Sequence, residues 1–399
     1  MKKSMLILIL IVLAGITMKA QTAYIPNAGD GTVSVINLAT NIVDTTFSVG
    51  QSEFGVSVSA DGASVYIGNM GAIGYISTQT NSEYAYSTCL GPNGIVASPD
   101  GSKVYVANIG YSNMQIINTS TNISSSPITL SNTPFGVAIN PDGTKVYFTI
   151  DGPLGNDSLV NVFNTTTNTV TTSIFVGHMP TGIAISPNGM KAYVANANDN
   201  TVSVINSIMD TVIATIQVGH YPYGIVVNHD GSKVYVSNYN DNTISVIDSA
   251  SNTVINTIPV GLFPVGLSIS PDGSKLVCAN SQSNTINIIN PFLDIVTDTI
   301  AVGHGPLSFG NFISSAHVGI PSINNDKGIS IYPNPTANTI TIHQDTYSPN
   351  QQIIITDVLG NRVYSQALNT ATETIDISHL SSGIYFYEVS GKRGKIIKE

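Results

Sequence analysis

The feature that most constrains the fold is a turn dipeptide, Asp-Gly or Asn-Gly, that recurs along the chain at nearly constant spacing. Successive copies are 39, 42, 46, 42 and 42 residues apart. One copy, residues 219–261, contains four short runs rich in Val, Ile, Thr and Tyr, each bounded by Gly, Pro, Asn or Asp. Four strands in about forty residues is the period of a β-propeller blade. The six dipeptides begin at Asp61, Asp100, Asp142, Asn188, Asp230 and Asp272.

The two ends of this repeat array are each incomplete. Residues 23–27, 32–36 and 42–49 correspond to the second, third and fourth strands of a blade, and no first strand precedes them. Residues 304–313 have the pattern of a first strand with nothing after it. We expect the two ends to complete one blade together, which gives an all-β, seven-bladed propeller without an open edge.

The amino-acid sequences of the repeats are similar to those of a known family. KVYVAN at residues 103–108, KAYVAN at 191–196 and KVYVSN at 233–238 resemble the second strand of the YVTN family of β-propeller repeats. NTVSVI at 200–205 and NTISVI at 242–247 resemble its third strand. The resemblance covers residues 22–313 and implies the propeller fold, which by itself does not define a function.

The charge of the predicted propeller, residues 21–313, argues against nucleic acid as a partner. It contains seventeen acidic residues, five lysines and no arginine, a net charge of −12. Because Lys and Arg drive binding to phosphate backbones, we expect no nucleic-acid binding, although some YVTN-type propellers bind DNA. The lysines occupy one equivalent position, three residues after the turn Asp or Asn, at Lys103, Lys145, Lys191, Lys233 and Lys275.

Residues 1–20 have the pattern of a secretory signal peptide. Lys2 and Lys3 precede an apolar run at residues 5–17, and Ala20 is the small residue before the cut. The run is too short for a typical membrane span, so we expect passage into the periplasm and no transmembrane span after cleavage.

Cys89 and Cys278 fall in different blades and are predicted to be free thiols rather than a disulfide, metal or redox pair.

The chain changes character after a predicted linker at residues 314–328. YPNPT at residues 332–336, DVLGN at 357–361, LSSGIYFYEV at 380–389 and KIIKE at 395–399 resemble the type A C-terminal sorting domain of the type IX secretion system of Bacteroidetes. The resemblance covers residues 329–399 and implies the secretion machinery as a partner and a secreted or outer-membrane cell-surface location. The motif residues are Pro333, Asn334, Pro335, Gly360, Leu380, Gly383 and Tyr385.

Alternating runs in this tail, at residues 339–343, 352–356, 374–377 and 384–389, predict a small β-sandwich.

Two repeated features are expected at the channel mouth, because in propellers the loops after the fourth and second strands share one face. The first is Gly-His-x-Pro, in which Leu262 replaces the histidine once. The second is the Asn that ends the second strand. Aromatic residues beside a glycine are expected there too. The candidate ligand-binding residues are His178, His220, His304, Phe54, Phe135, Tyr223, Asn196 and Asn238.

The same residues admit two interpretations. Three imidazoles have the chemistry to hold Zn²⁺ or Cu²⁺, but recurrence with the repeat favours turn formation, so we predict no metal and no cofactor. The propeller lacks arginine and the common catalytic motifs. We therefore expect a monomeric, non-enzymatic binding module for a glycan, protein or matrix ligand. The alternative is a hydrolase or lyase similar to propeller lactonases, with its active site at the channel mouth.

Overall fold

The computed structural model describes residues 21–50, 55–69, 71–78, 82–88, 91–109, 111–152, 158–314, 329–332, 336–344, 351–357, 362–389 and 392–398. All regular secondary structure in these ranges is β-strand. The chain forms two compact units that divide between residues 317 and 318. Several predictions fall outside the described residues: the signal peptide, the linker after Ser314, Phe54, Cys89, Pro333, Asn334, Pro335 and Gly360.

The first unit consists of seven antiparallel sheets. The N-terminal one contains β1 (Thr22–Asn27), β2 (Thr32–Asn37) and β3 (Ile42–Ser48). Blade 2 contains β4 (Val56–Val58), β5 (Ser64–Asn69), β6 (Ala72–Ser77) and β7 (Ser82–Thr88). Blade 3 contains β8 (Pro92–Ala97), β9 (Lys103–Asn108), β10 (Asn113–Asn118), β11 (Ile123–Ser124) and β12 (Ile128–Thr129). In blade 3 the fourth strand is split into β11 and β12, and Pro127, which cannot donate to the ladder, lies in the gap.

The remaining blades follow the four-strand pattern closely. Blade 4 contains β13 (Thr133–Ile139), β14 (Lys145–Asp151), β15 (Leu159–Asn164) and β16 (Thr169–Phe175). Blade 5 contains β17 (Pro180–Ile185), β18 (Lys191–Asn196), β19 (Thr201–Asn206) and β20 (Thr211–Gln217). Blade 6 contains β21 (Pro222–Val227), β22 (Lys233–Asn238), β23 (Thr243–Asp248) and β24 (Thr253–Pro259). Blade 7 contains β25 (Pro264–Ile269), β26 (Leu276–Asn280), β27 (Thr285–Asn290) and β28 (Ile295–Ala301).

Blade 1 joins the two ends of the unit. β29 (Ile313–Ser314) pairs with β1 and extends its sheet in the order β29-β1-β2-β3. The Tyr24 amide donates to the Phe312 carbonyl at 2.9 Å, and the Ala28 amide to the Gly305 carbonyl at 3.0 Å. The seven-bladed fold is thus confirmed.

The closing segment differs from its prediction as one strand over residues 304–313. Only Ile313 and Ser314 form a regular ladder, because Pro306 lacks an amide proton and Gly310 adopts φ +124°. Ser314 pairs with Thr22, so the sheet extends one residue beyond the predicted boundary.

The inner strands of neighbouring blades approach closely at a ring of seven glycines. A methyl group at any of them would lie 1.5–2.6 Å from a backbone carbonyl oxygen of the next blade, a distance that no side chain tolerates. The ring closes on itself, since Gly310 of blade 1 faces the carbonyl of Val56 in blade 2. The seven are Gly55, Gly94, Gly136, Gly182, Gly224, Gly266 and Gly310.

The repeated lysines connect each blade to the next. Lys145 Nζ binds the Asp210 carboxylate at 2.9 Å, and Lys233 Nζ binds Asp294 at 2.7 Å. Lys191 Nζ donates to the Ser249 carbonyl at 2.6 Å, and Lys275 Nζ to Asn41 Oδ1 at 2.7 Å across the closure. Four of the five lysines therefore fix the turn between the third and fourth strands of the following blade.

The second unit is a two-sheet sandwich, as predicted. Its strands are β30 (Ile329–Tyr332), β31 (Thr339–Gln344), β32 (Gln351–Thr356), β33 (Arg362–Leu368), β34 (Thr372–Asp376), β35 (Gly383–Val389) and β36 (Lys392–Lys398). One sheet has the order β30-β31-β34 and the other β33-β32-β35-β36. Ile340, Ile353 and Ile375 belong to the core between them, and Leu380 packs against it. The Tyr385 hydroxyl donates to the Ser381 carbonyl at 2.8 Å.

Candidate functional site

The loops expected to share one face do so, and the repeated histidines bind the acids of the loop beside them. His178 Nδ1 lies 2.8 Å from Asp199 Oδ1, and the His178 amide donates to Asp199 Oδ2 at 2.8 Å. His220 with Asp241 and His304 with Asp30 repeat both contacts. Each pair ties the loop that leads into a blade to the loop between that blade's second and third strands.

Blade 7 shows that the two partners change together. Leu262 stands in place of the histidine and Ser283 in place of the aspartate, and the Leu262 amide donates to Ser283 Oγ at 2.6 Å. The backbone contact is thus retained without the imidazole. Among the described residues, no group of three or more His, Cys, Asp or Glu lies close enough to hold a metal ion. The three histidines therefore act separately, each within its own blade.

Asn196 and Asn238 lie beneath the loops and do not face the channel mouth. Both are buried, and the Asn196 amide nitrogen donates to Thr201 and Ser203 at 3.0 and 2.9 Å. Gly177 packs on the Asn196 amide so closely that a methyl group there would lie 2.7 Å from its Cγ. This corrects the sequence-based expectation: the asparagines support the loops from below and are inaccessible to a ligand.

Aromatic rings meet where the channel opens on this face. Phe135 and Tyr223, predicted at the mouth, have ring centroids 5.5 Å apart in an edge-to-face arrangement. Phe309 completes a triangle, 5.3 Å from Phe135 and 5.6 Å from Tyr223. The prediction missed Phe309, although it precedes Gly310 as Phe135 precedes Gly136.

Further rings extend this cluster outward over blades 6 and 7. Tyr239 stacks on Phe263 with centroids 4.5 Å apart and planes 8° apart. Its ring also lies 5.8 Å from that of Tyr221 and 6.1 Å from that of Tyr223. The Tyr221 hydroxyl donates to Met179 Sδ at 3.3 Å. We call this surface the aromatic face; it comprises Phe135, Met179, Tyr221, Tyr223, Tyr239, Phe263 and Phe309.

Three side chains of the aromatic face stand on left-handed backbone. Met179, Tyr221 and Phe263 have φ of 52°, 56° and 55°, whereas Gly305 occupies the equivalent place in blade 1 at 61°. Left-handed backbone costs a bulky residue about 1–2 kcal/mol. Asparagines of the preceding blade help to hold the loops: Asn200 Oδ1 accepts from the Tyr221 amide and Asn242 Oδ1 from the Phe263 amide, both at 2.9 Å.

A carboxylate occupies in blade 4 the strand position that Tyr239 has in blade 6. Asp151 ends β14 and is half-buried, and burial raises its pKa. Burial, with smaller contributions from Tyr239 and Asp151, raises the pKa of Tyr221. Burial also raises the pKa of Tyr223 above that of an exposed phenol. The phenols of Tyr221 and Tyr223 are therefore neutral near pH 7.

The channel itself is an apolar cavity of about 430 Å³. Inner-strand residues such as Ile183, Ile225 and Leu267 line it, and His229 is the one titratable side chain among its described lining residues. His229 occupies a turn position where most repeats have proline, and its Nε2 donates to the Ser270 carbonyl at 2.7 Å. That turn follows β21, so His229 lies at the end of the channel away from the aromatic face.

The thiol of Cys278 is buried and stays protonated near pH 7. It is unpaired in blade 7, and burial raises its pKa.

Each of the two structural units contains a segment that matches a known protein family. Residues 330–399 match the family described as "Secretion system C-terminal sorting domain". Residues 206–291, about two blades, match the family "Lactonase, 7-bladed beta-propeller". A search of curated proteins finds no match. In the described ranges, no helix has the length and hydropathy needed to span a bilayer.

Two solved structures share the fold. Hydrazine synthase of Kuenenia stuttgartiensis aligns with a TM-score of 0.58 and 18% identity, covering 64% of this chain and 88% of the other. A functionally unknown protein from Desulfotomaculum acetoxidans DSM 771 aligns with a TM-score of 0.62 and 18% identity, covering 74% and 98%. Identity this low shows the fold alone. The chain therefore consists of a seven-bladed β-propeller followed in sequence by a secretion-system C-terminal sorting domain.

Proposed function

We propose that the type IX secretion system exports this protein to the cell surface or the medium, where its propeller works as a non-enzymatic binding module. The sorting domain at residues 330–399 supports export and contact with the secretion machinery. The binding surface in this proposal is the aromatic face.

One observation carries the binding role: bulky side chains are held in left-handed backbone on one surface. Tyr221 and Phe263 stand where blade 1 has glycine, and their rings meet at Tyr239. Packing between the rings offsets part of the backbone cost. Half-buried aromatic rings of this kind are typical of binding surfaces, because they supply large contact areas with little loss of conformational entropy.

The match to the lactonase family supports a second candidate, a hydrolase or lyase that uses the channel. The site chemistry favours binding instead. Hydrolysis needs a positioned nucleophile or general base and a group that stabilises the developing charge. Among the described residues lining the cavity, His229 is the one titratable side chain, and the propeller sequence has no arginine.

The test is a binding panel on the full chain without its signal peptide. The panel contains cellohexaose, chitohexaose, choline, gelatin and fibronectin, and the comparison is between wild type, Tyr239→Ala and Tyr111→Ala. Tyr111 is an exposed tyrosine, 55% accessible, in a loop of blade 3, which makes it a matched control. We expect Tyr239→Ala to weaken any binding at least tenfold and Tyr111→Ala to leave it unchanged.

Binding that ignores Tyr239→Ala would contradict the proposal. Turnover of glucono-δ-lactone that His229→Ala abolishes would favour the second candidate in its place.

A further inference from the structure

The lysines of the propeller are confined to one of its faces, whereas its aspartates lie on both. Its five lysines all lie at or next to the first residue of a second strand, and four of them bind the neighbouring blade. The aromatic face lies at the other end of these strands, about 20 Å away for a strand of six residues. Asp151 lies on that side, together with the aspartates that bind the histidines. The side of the aromatic face therefore has carboxylates and no lysine, which favours cations over anions.

The rings have a matching property. The face of an aromatic ring carries partial negative charge, and a cation within about 6 Å of the ring centre is attracted to it. Tyr221, Tyr223, Tyr239 and Phe263 place four rings within 4.5–6.1 Å of a ring neighbour. Asp151 occupies in blade 4 the strand position that Tyr239 has in blade 6, because Ile150 pairs with Pro134 as Asn238 pairs with Pro222. Such a surface suits a ligand that is positively charged and apolar at once.

Three of the polar groups around the rings are already committed to the loops, which makes a neutral sugar the poorer match. Sugar recognition needs several available hydrogen-bonding groups to match the hydroxyls. Here the side-chain oxygens of Asn200 and Asn242 accept backbone protons, and the Tyr221 hydroxyl donates to Met179. A fully alkylated ammonium group has no N–H donor to satisfy and loses little by meeting such a surface.

We propose that the aromatic face binds an alkylated ammonium group, with Asp151 as its counter-charge. The inference rests on the proposed function, since it names the ligand class of that same surface. Two sources present this chemistry: small quaternary amines such as choline, and trimethylated lysine side chains.

The test is isothermal titration of the full chain without its signal peptide. The ligands are choline, N-acetyl-trimethyllysine amide and 3,3-dimethylbutan-1-ol, which has the shape of choline without its charge. We expect choline or the lysine derivative to bind at least tenfold more tightly than the neutral alcohol, and the stronger of the two identifies the source. Asp151→Asn should weaken the cation about tenfold. Asp142→Asn, in the turn before the other end of the same strand, should change nothing.

Equal binding of choline and the neutral alcohol, or cation binding that Asp151→Asn does not weaken, would overturn the cation site. An oligosaccharide that binds in a Tyr239-dependent manner while both cations fail would also overturn it, but would leave the aromatic face as the binding surface. If no panel compound binds in a Tyr239-dependent manner, both proposals fall.

Discussion

Hydrogen bonds from single side chains fix the loops on the same side of the propeller as the aromatic face. Asp199 accepts both the backbone and the ring of His178, and Asp30 and Asp241 do the same in their blades. Burial raises the pKa of Asp199, but the two hydrogen bonds and the charge interaction with His178 together lower it more, so the net pKa lies below the ordinary value. Each carboxylate therefore contributes stability only while it is charged.

This gives a prediction for Asp199→Asn. Because the folded pKa is lowered, the stabilisation is present above the unfolded value of about 3.9 and is lost as pH falls through the folded pKa. Thermal melts should show a lower melting temperature than wild type at pH 7, with the difference shrinking below pH 4. Ser283→Ala is the matched control, since its hydroxyl fills the same place without a charge. Its effect should not vary with pH, and an Asp199→Asn effect that is also constant would contradict the account.

The sequence located these residues better than it assigned their contacts. Repeat spacing placed His178 and Phe135 on the correct face, and aligning the repeats would also have found Phe309 and His229. Tyr221 and Phe263 gave no signal, because left-handed backbone is expected of Gly and Asn rather than of bulky residues. Burial of Asn196 depends on Gly177 packing above it, a contact that spacing does not reveal.

At the scale of the strand, the propeller is held by the close approach of neighbouring inner strands. β17 and β21 meet where Gly182 faces the Tyr223 carbonyl. The strands themselves were predictable from alternation and turn residues. The missed ones belong to the tail: β30 is only four residues long, and in β33 and β36 polar and charged residues such as Arg362 and Lys392 weaken the pattern.

Gly182→Ala tests this contact. Its methyl group would lie 2.4 Å from the Tyr223 carbonyl oxygen, so we expect a loss of about 3 kcal/mol from the free energy of unfolding. The adjacent Ile183→Val, which removes one methylene from the same strand, should cost about 1 kcal/mol. Denaturant melts of both variants provide the comparison, and a Gly182→Ala protein as stable as wild type would be inconsistent with the packing.

At the scale of the whole molecule, closure of the ring and assembly of the aromatic face depend on the same segment. Residues 304–314 complete blade 1 through β29 and the Phe312 carbonyl, and they also carry Phe309 into contact with Phe135 and Tyr223. Losing this segment would expose the hydrogen-bonding edge of β1 and remove one corner of the ring triangle. Stability and binding should therefore fail together.

The most direct measurement is the thermal unfolding of the chain lacking residues 305–313, beside a chain lacking residues 315–323, a deletion of equal length within the predicted linker. We expect aggregation or a sharply lower melting temperature for the first, since both ends of the ring lose their partner, and a melt close to wild type for the second. If the two deletions melt alike, the chain ends do not share a blade, and the closed seven-bladed ring that supports the aromatic face is wrong.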